Sequence, residues 1–242
     1  MDTGGGDVKE VLAIIPARGG SKGIKRKNLV LVAGKPLVVH SIEHALGSRR
    51  VSRVLVSTED EEIAAVARAA GAEVPFLRPH LLAGDEVLDL PVFEHVLQTL
   101  AQQEGYTPDL VLHLRPTVPR RKPEWIDDAI DLLAKSGRAD SLRSVSKPAQ
   151  HPYRVFRIGA DGFLDPVMKH EHPTPYLLRR QDQPAMYHYN CVIDVTRPAT
   201  ILQQKSMTGD RILPFILDPD DVIDIDTPRD LMVARFLLGD AP

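Results

Sequence analysis

Residues 10–29 read EVLAIIPARGGSKGIKRKNL, and this stretch decides the predicted fold. Its first half, EVLAIIPA (10–17), is a short apolar run without strict alternation, which is typical of a strand buried on both faces. Its second half contains Gly19, Gly20 and Gly23, which let the backbone turn tightly and approach a ligand. A buried strand that leads into such a loop predicts the ligand-binding edge of an α/β sheet.

Strand-like and helix-like segments alternate beyond this stretch. Short strands rich in Val, Ile and Leu that alternate with helices of about 10–15 residues indicate βαβ units. The predicted fold class is therefore α/β, with a mostly parallel sheet and helices on both faces. The predicted strands are 51–58, 72–76, 109–114, 140–146, 186–196 and 211–217; the predicted helices are 36–46, 59–71, 89–103 and 123–136; residues 222–239 form a strand, a cap and a helix.

Residues 148–183 interrupt the alternation. They are rich in Pro, His, Arg and Tyr and have weak periodicity, so we interpret them as an extended insertion within a single domain that spans residues 8–242. The sequence YRVFRI-GADG-FLDPV (153–167) predicts a β-hairpin inside the insertion. The segment is too irregular to form a core of its own, so we expect it to serve a second substrate or a partner.

The composition excludes several classes of protein. The 242 residues are 43% hydrophobic and 26% charged, which is ordinary for a soluble globular protein. No apolar run is long enough to cross a membrane, and MDTGGGDVKE (1–10) lacks the pattern of a signal peptide. The single cysteine, Cys191, excludes an internal disulfide framework, and these features together predict a cytoplasmic protein. A net charge of −3 argues against a broad nucleic-acid-binding surface.

The glycine loop concentrates positive charge in spite of the balanced total. Backbone N–H groups and cations on a loop after a buried strand are what a triphosphate needs, although a plain solvated loop is the alternative. The dinucleotide-binding and P-loop glycine patterns are both absent. The cations of the loop are Arg18, Lys22, Lys25, Arg26 and Lys27, and those at 115–122 and 179–180 are predicted to join them in a strongly positive pocket.

A pair of acidic residues lies near the end of the chain. VIDIDTP (222–228) places Asp224 and Asp226 two residues apart, so on a strand both carboxylates face one side with Cα atoms ~6.6 Å apart. This arrangement suits a Mg²⁺ ion that also binds water and phosphate. The alternative is that Asp226 caps the helix that follows, with Pro228 near its start.

The glycine-loop sequence resembles the signature of the CMP-sialic acid synthetases (acylneuraminate cytidylyltransferases). The resemblance implies a Rossmann-like three-layer nucleotidyltransferase fold, in which the 148–183 insertion pairs two subunits as a homodimer. It also implies Mg²⁺-dependent coupling of CTP to a nonulosonic (sialic-type) acid, with release of pyrophosphate. Further matching motifs follow in order: VSRVLVSTED (51–60), FLRPHLLAGD (76–85), HLRPTVPR (113–120), HPYRVFRI (151–158), RRQDQP (179–184), YNCVIDV (189–195) and VIDIDTPRDL (222–231).

The resemblance implies a role for each matching residue. Fixed cations at the triphosphate lower the barrier to attack on the α-phosphate, because negative charge accumulates there in the transition state. The implied catalytic residues are Arg18, Lys22, Lys27 and Arg180. The implied nucleotide-binding residues are Pro16, Ala17, Arg18, Asn28, Arg78, Val87 and Asp89. The implied acceptor-binding residues are Arg115, Arg154, Arg180 and Asn190, and the implied metal ligands are Asp224 and Asp226.

Two motifs depart from the family pattern. In LLAGDEVLD (81–89), which would close over the base, acidic and apolar residues replace the usual small polar ones, and Asp89 could instead cap a helix. In HLRPTVPR (113–120), Arg115 stands where the family has an amide that contacts the sugar.

Arg115 leaves two interpretations open. Arginine binds carboxylate or phosphate in a bidentate manner, so the acceptor could be another anion such as a small phosphonate. Alternatively, Arg115 pairs with a nearby acid such as Asp89. A non-catalytic nucleotide-binding protein is a third hypothesis for the chain as a whole.

Overall fold

A computed structural model describes residues 8–239 of the chain. The strands, in chain order, are β1 (Val11–Pro16), β2 (Leu31–Val32), β3 (Lys35–Pro36), β4 (Arg53–Ser57), β5 (Leu110–His113), β6 (Ser141–Ser146), β7 (Phe156–Ile158), β8 (Leu164–Pro166), β9 (His188–Thr196) and β10 (Ile212–Ile216). The α-helices are α1 (Leu37–Leu46), α2 (Glu61–Ala69), α3 (Asp89–Glu104), α4 (Pro123–Lys135), α5 (Pro198–Leu202) and α6 (Pro228–Leu238).

The central sheet has six strands in the order β10-β6-β9-β5-β1-β4. Strand β1 pairs in parallel with β4 and β5, and β10 pairs in parallel with β6. Strand β9 runs antiparallel to both β5 and β6. The prediction of a mostly parallel α/β sheet is therefore confirmed, and β9 is the strand that departs from it.

Side chains of β1 alternate between two cores. Val11, Ala13 and Ile15 are buried with apolar residues of α1, α2 and α4. Leu12 and Ile14 are buried on the opposite face with apolar residues of α3 and α5. Since one strand contributes to two cores, the fold has three layers, with the sheet between two layers of helices.

Two predicted strands do not form. Around residues 72–76 the backbone makes a single parallel bridge, Leu55 to Glu73, because Pro75 has no N–H to extend the ladder. Residues 222–226 lie outside any strand, and Ile225 instead donates one backbone bond to Thr117. The prediction that Asp224 and Asp226 lie on a strand is therefore wrong.

The insertion lies apart from the central sheet. Strands β7 and β8 pair antiparallel, which confirms the predicted hairpin. Large apolar side chains on and near the hairpin remain exposed, including Ile158, Phe163 and Leu164. Among the described residues, no helix is both long and apolar enough to cross a bilayer.

Candidate active site

The carboxyl ends of β1 and β5 open into a cavity of about 530 Å³. This is the edge at which parallel sheets bind ligands. Most of the predicted site residues line the cavity: Pro16, Arg18, Lys22, Lys27, Asn28, Arg78, Val87, Asp89, Arg115, Asp224 and Asp226.

The glycine loop is fixed by hydrogen bonds to its own backbone and to the region after β4. The amide of Asn28 donates to the carbonyl oxygen of Arg18 at 2.8 Å, and the N–H of Gly19 donates to Glu59 Oε1 at 2.7 Å. The N–H of Ala17 donates to the carbonyl oxygen of Ser57, and Ala17 itself is buried and does not line the cavity. These hydrogen bonds hold one side of the loop against the region after β4, and the other side faces the cavity.

One of the loop cations has a structural contact instead of a cavity position. Arg26 adopts a left-handed backbone conformation, with φ of 54°. Its guanidinium pairs with Asp60, which caps α2, and with Glu62. The Asp60 hydrogen bond raises the pKa of Arg26. Arg26 thus ties the loop to the start of α2.

Residues 81–89, named the lid loop below, contact the glycine loop through Asp85. Its carboxylate lies 2.8 Å from Arg18 Nη1 and 2.6 Å from Lys22 Nζ. These cations, Lys22 first, lower the pKa of Asp85, so the carboxylate is ionised at neutral pH. Asp85 therefore occupies the two cations that a triphosphate would need.

The cavity is nearly neutral, contrary to the predicted strongly positive pocket. Its lining carries five basic and four acidic side chains: Arg18, Lys22, Lys27, Arg78 and Arg115 against Asp85, Asp89, Asp224 and Asp226. Two of the expected contributors lie elsewhere, since Arg120 and Lys122 pair with Asp221. Sequence reasoning named three of these acids, Asp89, Asp224 and Asp226, but not Asp85, which pairs with two of the loop cations.

Replacing Asp85 with asparagine should lower the KM for CTP, the nucleotide that the motif resemblance implies, about two- to fivefold, because the nucleotide would no longer displace two partly exposed ion pairs. The measurement is pyrophosphate release against CTP concentration. Asp128→Asn, on the exposed surface of α4, is the control for the loss of one negative charge. A higher KM in Asp85→Asn would show that Asp85 assists nucleotide binding instead of opposing it.

Lys27 connects the glycine loop with the acidic pair. Its Nζ donates to the carbonyl oxygen of Ile225 at 3.0 Å and to Asp226 Oδ1 at 3.1 Å. The loop cations and the two carboxylates therefore face the same space, although they are almost 200 residues apart in the chain.

The acidic pair retains the chemistry of a metal site. Asp224 Oδ1 is buried without a hydrogen-bond partner, and burial raises the pKa of this carboxyl group. Thr227 caps α6 in a reciprocal capping box with Asp230, so Asp226 is not the cap and lies 73% exposed at the cavity. Because a buried oxygen without a partner needs a ligand, the pair fits a divalent cation.

The described residues contain no cluster of three or more His, Cys, Asp or Glu side chains that could hold a metal ion by themselves. Two carboxylates suffice for Mg²⁺, since this ion usually keeps several waters and completes its shell with substrate phosphates.

At the other end of the cavity, Arg115 joins two carboxylates. Its Nη1 donates to Asp194 Oδ2 at 2.7 Å and to the Tyr189 hydroxyl at 2.8 Å, and its Nη2 donates to Asp89 Oδ2 at 3.1 Å. The interpretation that Arg115 pairs with Asp89 is therefore confirmed. Asp89 is the first residue of α3 and makes no capping bond, so the capping interpretation of Asp89 is wrong.

Asp194 is the centre of this end of the site. It is fully buried and also lies 3.0 Å from Arg143 Nη1 and 3.8 Å from His113 Nδ1, and it accepts a hydrogen bond from Tyr189. Burial lowers the pKa of His113, so its imidazole is neutral, and neither ring nitrogen has a partner.

A bulge in β9 brings Tyr189 and Asp194 together. Tyr189 stands opposite Val145 and Asp194 opposite Arg143, so the intervening residues 190–193 face Ser144 alone. Cys191 takes a left-handed conformation at this point, with φ of 61°. The bulge changes the alternation of side chains in β9, and this is why sequence reasoning missed Asp194. Arg143 on β6 and His113 on β5 were missed because the pairing of these strands with β9 is not apparent from either segment.

Three of the predicted acceptor residues do not line the cavity. Asn190 is buried, and its amide donates to Ser146 Oγ at 2.8 Å. Arg154 and Arg180 line a separate cavity of about 810 Å³, between the insertion and Asp220. Their roles stay predictions, as do those of the residues that line the first cavity.

The family model and the curated relatives identify the chain as a nucleotidyltransferase. The profile of the cytidylyltransferase family matches residues 12–197. The chain therefore belongs to the cytidylyltransferase family, and the resemblance stated from its motifs is confirmed.

Curated relatives cover nearly the whole chain. The chain is 35% identical over 229 residues to CMP-N,N'-diacetyllegionaminic acid synthase of Legionella pneumophila, covering 94% of this chain and 96% of that protein. It is 31% identical to pseudaminic acid cytidylyltransferase of Campylobacter jejuni, covering 93% and 95%. Identity to N-acylneuraminate cytidylyltransferase of Escherichia coli is 30%, covering 93% of this chain and 51% of that longer protein.

Solved structures agree with the fold. A CMP:2-keto-3-deoxy-manno-octonic acid synthetase complexed with CTP superposes with a TM-score of 0.71 at 18% identity, covering 96% of this chain and 99% of that one. A 4-diphosphocytidyl-2C-methyl-D-erythritol synthase from Anaerococcus prevotii superposes with a TM-score of 0.64 at 12% identity, covering 96% and 99%.

Proposed function

We propose that the protein couples CTP to a nonulosonic acid, giving the CMP-sugar and pyrophosphate in a Mg²⁺-dependent reaction. The observation that carries this proposal is the meeting of Arg18, Lys22 and Lys27 with Asp224 and Asp226 in one cavity. The names of the curated relatives, which act on legionaminic, pseudaminic and acylneuraminic acids, support this class of acceptor.

The phosphate end of the site would work by charge stabilisation. A hydroxyl oxygen of the acceptor attacks the α-phosphorus and its proton passes to solvent, while the bond from the α-phosphorus to the bridging oxygen breaks and the electron pair leaves with pyrophosphate. Arg18 and Lys22 would hold the leaving phosphates after Asp85 has moved away. Lys27 is kept near the metal ligands by Ile225 and Asp226.

Asp224 and Asp226 would hold the Mg²⁺ ion. Thr117 keeps the Asp224 carboxyl in place by a side-chain hydrogen bond. When bound, the metal would screen the triphosphate charge and assist activation of the acceptor hydroxyl. Arg78, buried against Ser57, would face the nucleotide from the opposite wall.

Pyrophosphate release measured with four nucleoside triphosphates against a panel of acceptors tests the proposal. We expect turnover with CTP and a nonulosonic acid, and loss of turnover when EDTA removes divalent cations. Turnover of phosphonates alone would identify a small dianion as the acceptor in place of the sugar acid, which is the alternative stated for Arg115 from the sequence. CTP binding without turnover of any acceptor would favour the non-catalytic hypothesis.

We further propose that the protein is a cytoplasmic homodimer whose insertion reaches the cavity of the partner subunit. Arg154 and Arg180 lie away from the cavity of their own chain, and the apolar side chains of Ile158, Phe163 and Leu164 are uncovered on the hairpin. Pairing of two insertions would cover these side chains and could bring both arginines to the second site.

Mixing two inactive variants tests this arrangement. In a heterodimer of Arg18→Gln with Arg180→Gln, one of the two sites would have both arginines, so random mixing should restore about a quarter of the wild-type activity. Mixing either variant with itself is the control. A mixture as inactive as its components, in a protein that light scattering shows to be dimeric, would place Arg18 and Arg180 in the same chain's site.

A further inference from the structure

The two carboxylates bound to Arg115 differ in how firmly they are held. Asp194 is completely buried, and its carboxylate contacts Arg115, Arg143 and the Tyr189 hydroxyl. Asp89 is 41% exposed and touches Arg115 through one oxygen, at 3.1 Å from Nη2. Removing Asp194 from this arrangement would leave buried charge without a partner, whereas Asp89 can turn into solvent.

The balance of charge shows what can replace Asp89. Arg115 and Arg143 carry two positive charges, and Asp194 and Asp89 carry two negative ones. When Asp89 turns away, the remaining three groups carry one net positive charge in a half-buried position. A neutral ligand would leave that charge uncompensated, and an anion would restore the balance.

The neighbouring side chains support a fixed geometry for Arg115. The Tyr189 hydroxyl accepts from Arg115 and donates to Asp194, so Tyr189 and Asp194 together fix the orientation of the guanidinium group. His113 lies beneath, 3.9 Å from Asp89 Oδ2, with both ring nitrogens unpartnered in a buried position that lines the cavity. An unpartnered buried nitrogen at this point is a further polar contact open to a ligand.

We propose that Asp194 is a positioning residue that holds Arg115 for the anionic group of the acceptor, and that this anion displaces Asp89 from Arg115. The proposal rests on the proposed function for the identity of the acceptor, but the exchange itself concerns any carboxylate or phosphonate that enters this end of the cavity. Asp89 thereby selects against acceptors without a negative charge.

Calorimetric binding, with CTP and EDTA present so that no turnover occurs, tests the exchange directly. The probes are N-acetylneuraminate, its methyl ester and methylphosphonate. For the wild type we expect the acid to bind and the ester to bind at least tenfold more weakly. Arg115→Gln and Asp194→Asn should each weaken binding of the acid at least tenfold and leave the ester and CTP within about twofold.

Asp89→Asn keeps the proposal testable if Asp194→Asn does not fold. It should tighten binding of the acid several-fold, because no carboxylate then competes for Arg115. Asp127→Asn is the matched control, since Asp127 is a buried carboxylate bonded to Ser48 and Arg49, away from the cavity. It should lower stability without changing acceptor binding.

Weaker binding of the acid to Asp89→Asn, or equal binding to Asp194→Asn and the wild type, would overturn the proposal. So would absence of binding of every anion to the wild type. Preferential binding of methylphosphonate with the same dependence on Arg115 and Asp194 would support the exchange and would count against the nonulosonic acid as acceptor.

Discussion

Replacing Asp224 with asparagine should lower kcat about a thousandfold, since the loss of one of the two proposed metal ligands would remove about 4 kcal/mol of transition-state stabilisation. The amide cannot supply the negative charge that Asp224 offers from a buried position, where its Oδ1 has no other partner. Pyrophosphate release across a range of Mg²⁺ concentrations is the measurement. High Mg²⁺ should restore little of the lost activity.

The same substitution should not destabilise the protein. Burial raises the pKa of Asp224, so its ionised form costs stability; this cost grows as pH rises from the unfolded-state pKa to the raised folded-state pKa and is complete above it. A neutral amide removes the cost and retains an oxygen for Thr117. Thermal unfolding of the metal-free variant should therefore match or exceed that of the wild type, with Asp128→Asn as control. Full turnover by Asp224→Asn would refute the metal assignment.

The second large effect is expected at Arg18. Changing Arg18 to glutamine should lower kcat/KM for CTP by about a hundred- to a thousandfold, as the removal of one fixed donor at a developing negative charge does elsewhere. The Arg18 guanidinium lines the cavity and pairs with Asp85 of the lid loop, so it can contact the phosphates of a nucleotide that enters the cavity.

Arg26→Gln provides a matched comparison, because Arg26 is a cation of the same loop that pairs with Asp60 and Glu62 instead. It should change kcat/KM for CTP less than about fivefold and lower the free energy of unfolding by about 1 kcal/mol. Equal losses in both variants would show that positive charge on the loop matters more than its position.

The fold could be predicted where local pattern and packing agree. Three patterns predicted elements that bury one face or both: the apolar run 11–16, the acidic start and glycine end of α2, and the alternation of strands with helices. Prediction failed at 72–76 and 222–226, where the sequence has strand character but only one residue of each segment, Glu73 or Ile225, bonds to a neighbouring segment of backbone. Pairing depends on neighbours that a single segment does not reveal.

The site could be predicted from its cations and the Asp224–Asp226 pair, but the network at Arg115 could not. In a regular strand, Tyr189 and Asp194 are an odd number of residues apart and point to opposite faces. The bulge at Cys191 brings them to one side, and a left-handed cysteine is not apparent from sequence. Asp85 was missed as a partner because a lid loop's distance from the cations is set by tertiary structure.

Because the lining of the cavity is nearly neutral, the site should bind a ligand with several negative charges much more tightly than one with a single charge. At the triphosphate end of the cavity, Arg18 and Lys22 share Asp85, and Lys27 pairs with Asp226. A phosphate or chloride ion carries enough charge to displace an acid from one of these ion pairs. The neighbouring ion pairs keep the displaced acid close to its cation, so the acid returns and the small anion leaves. A triphosphate replaces several together, because its first contact raises the effective concentration of the others. Abundant small anions would thus inhibit weakly, even though each cation alone would attract them.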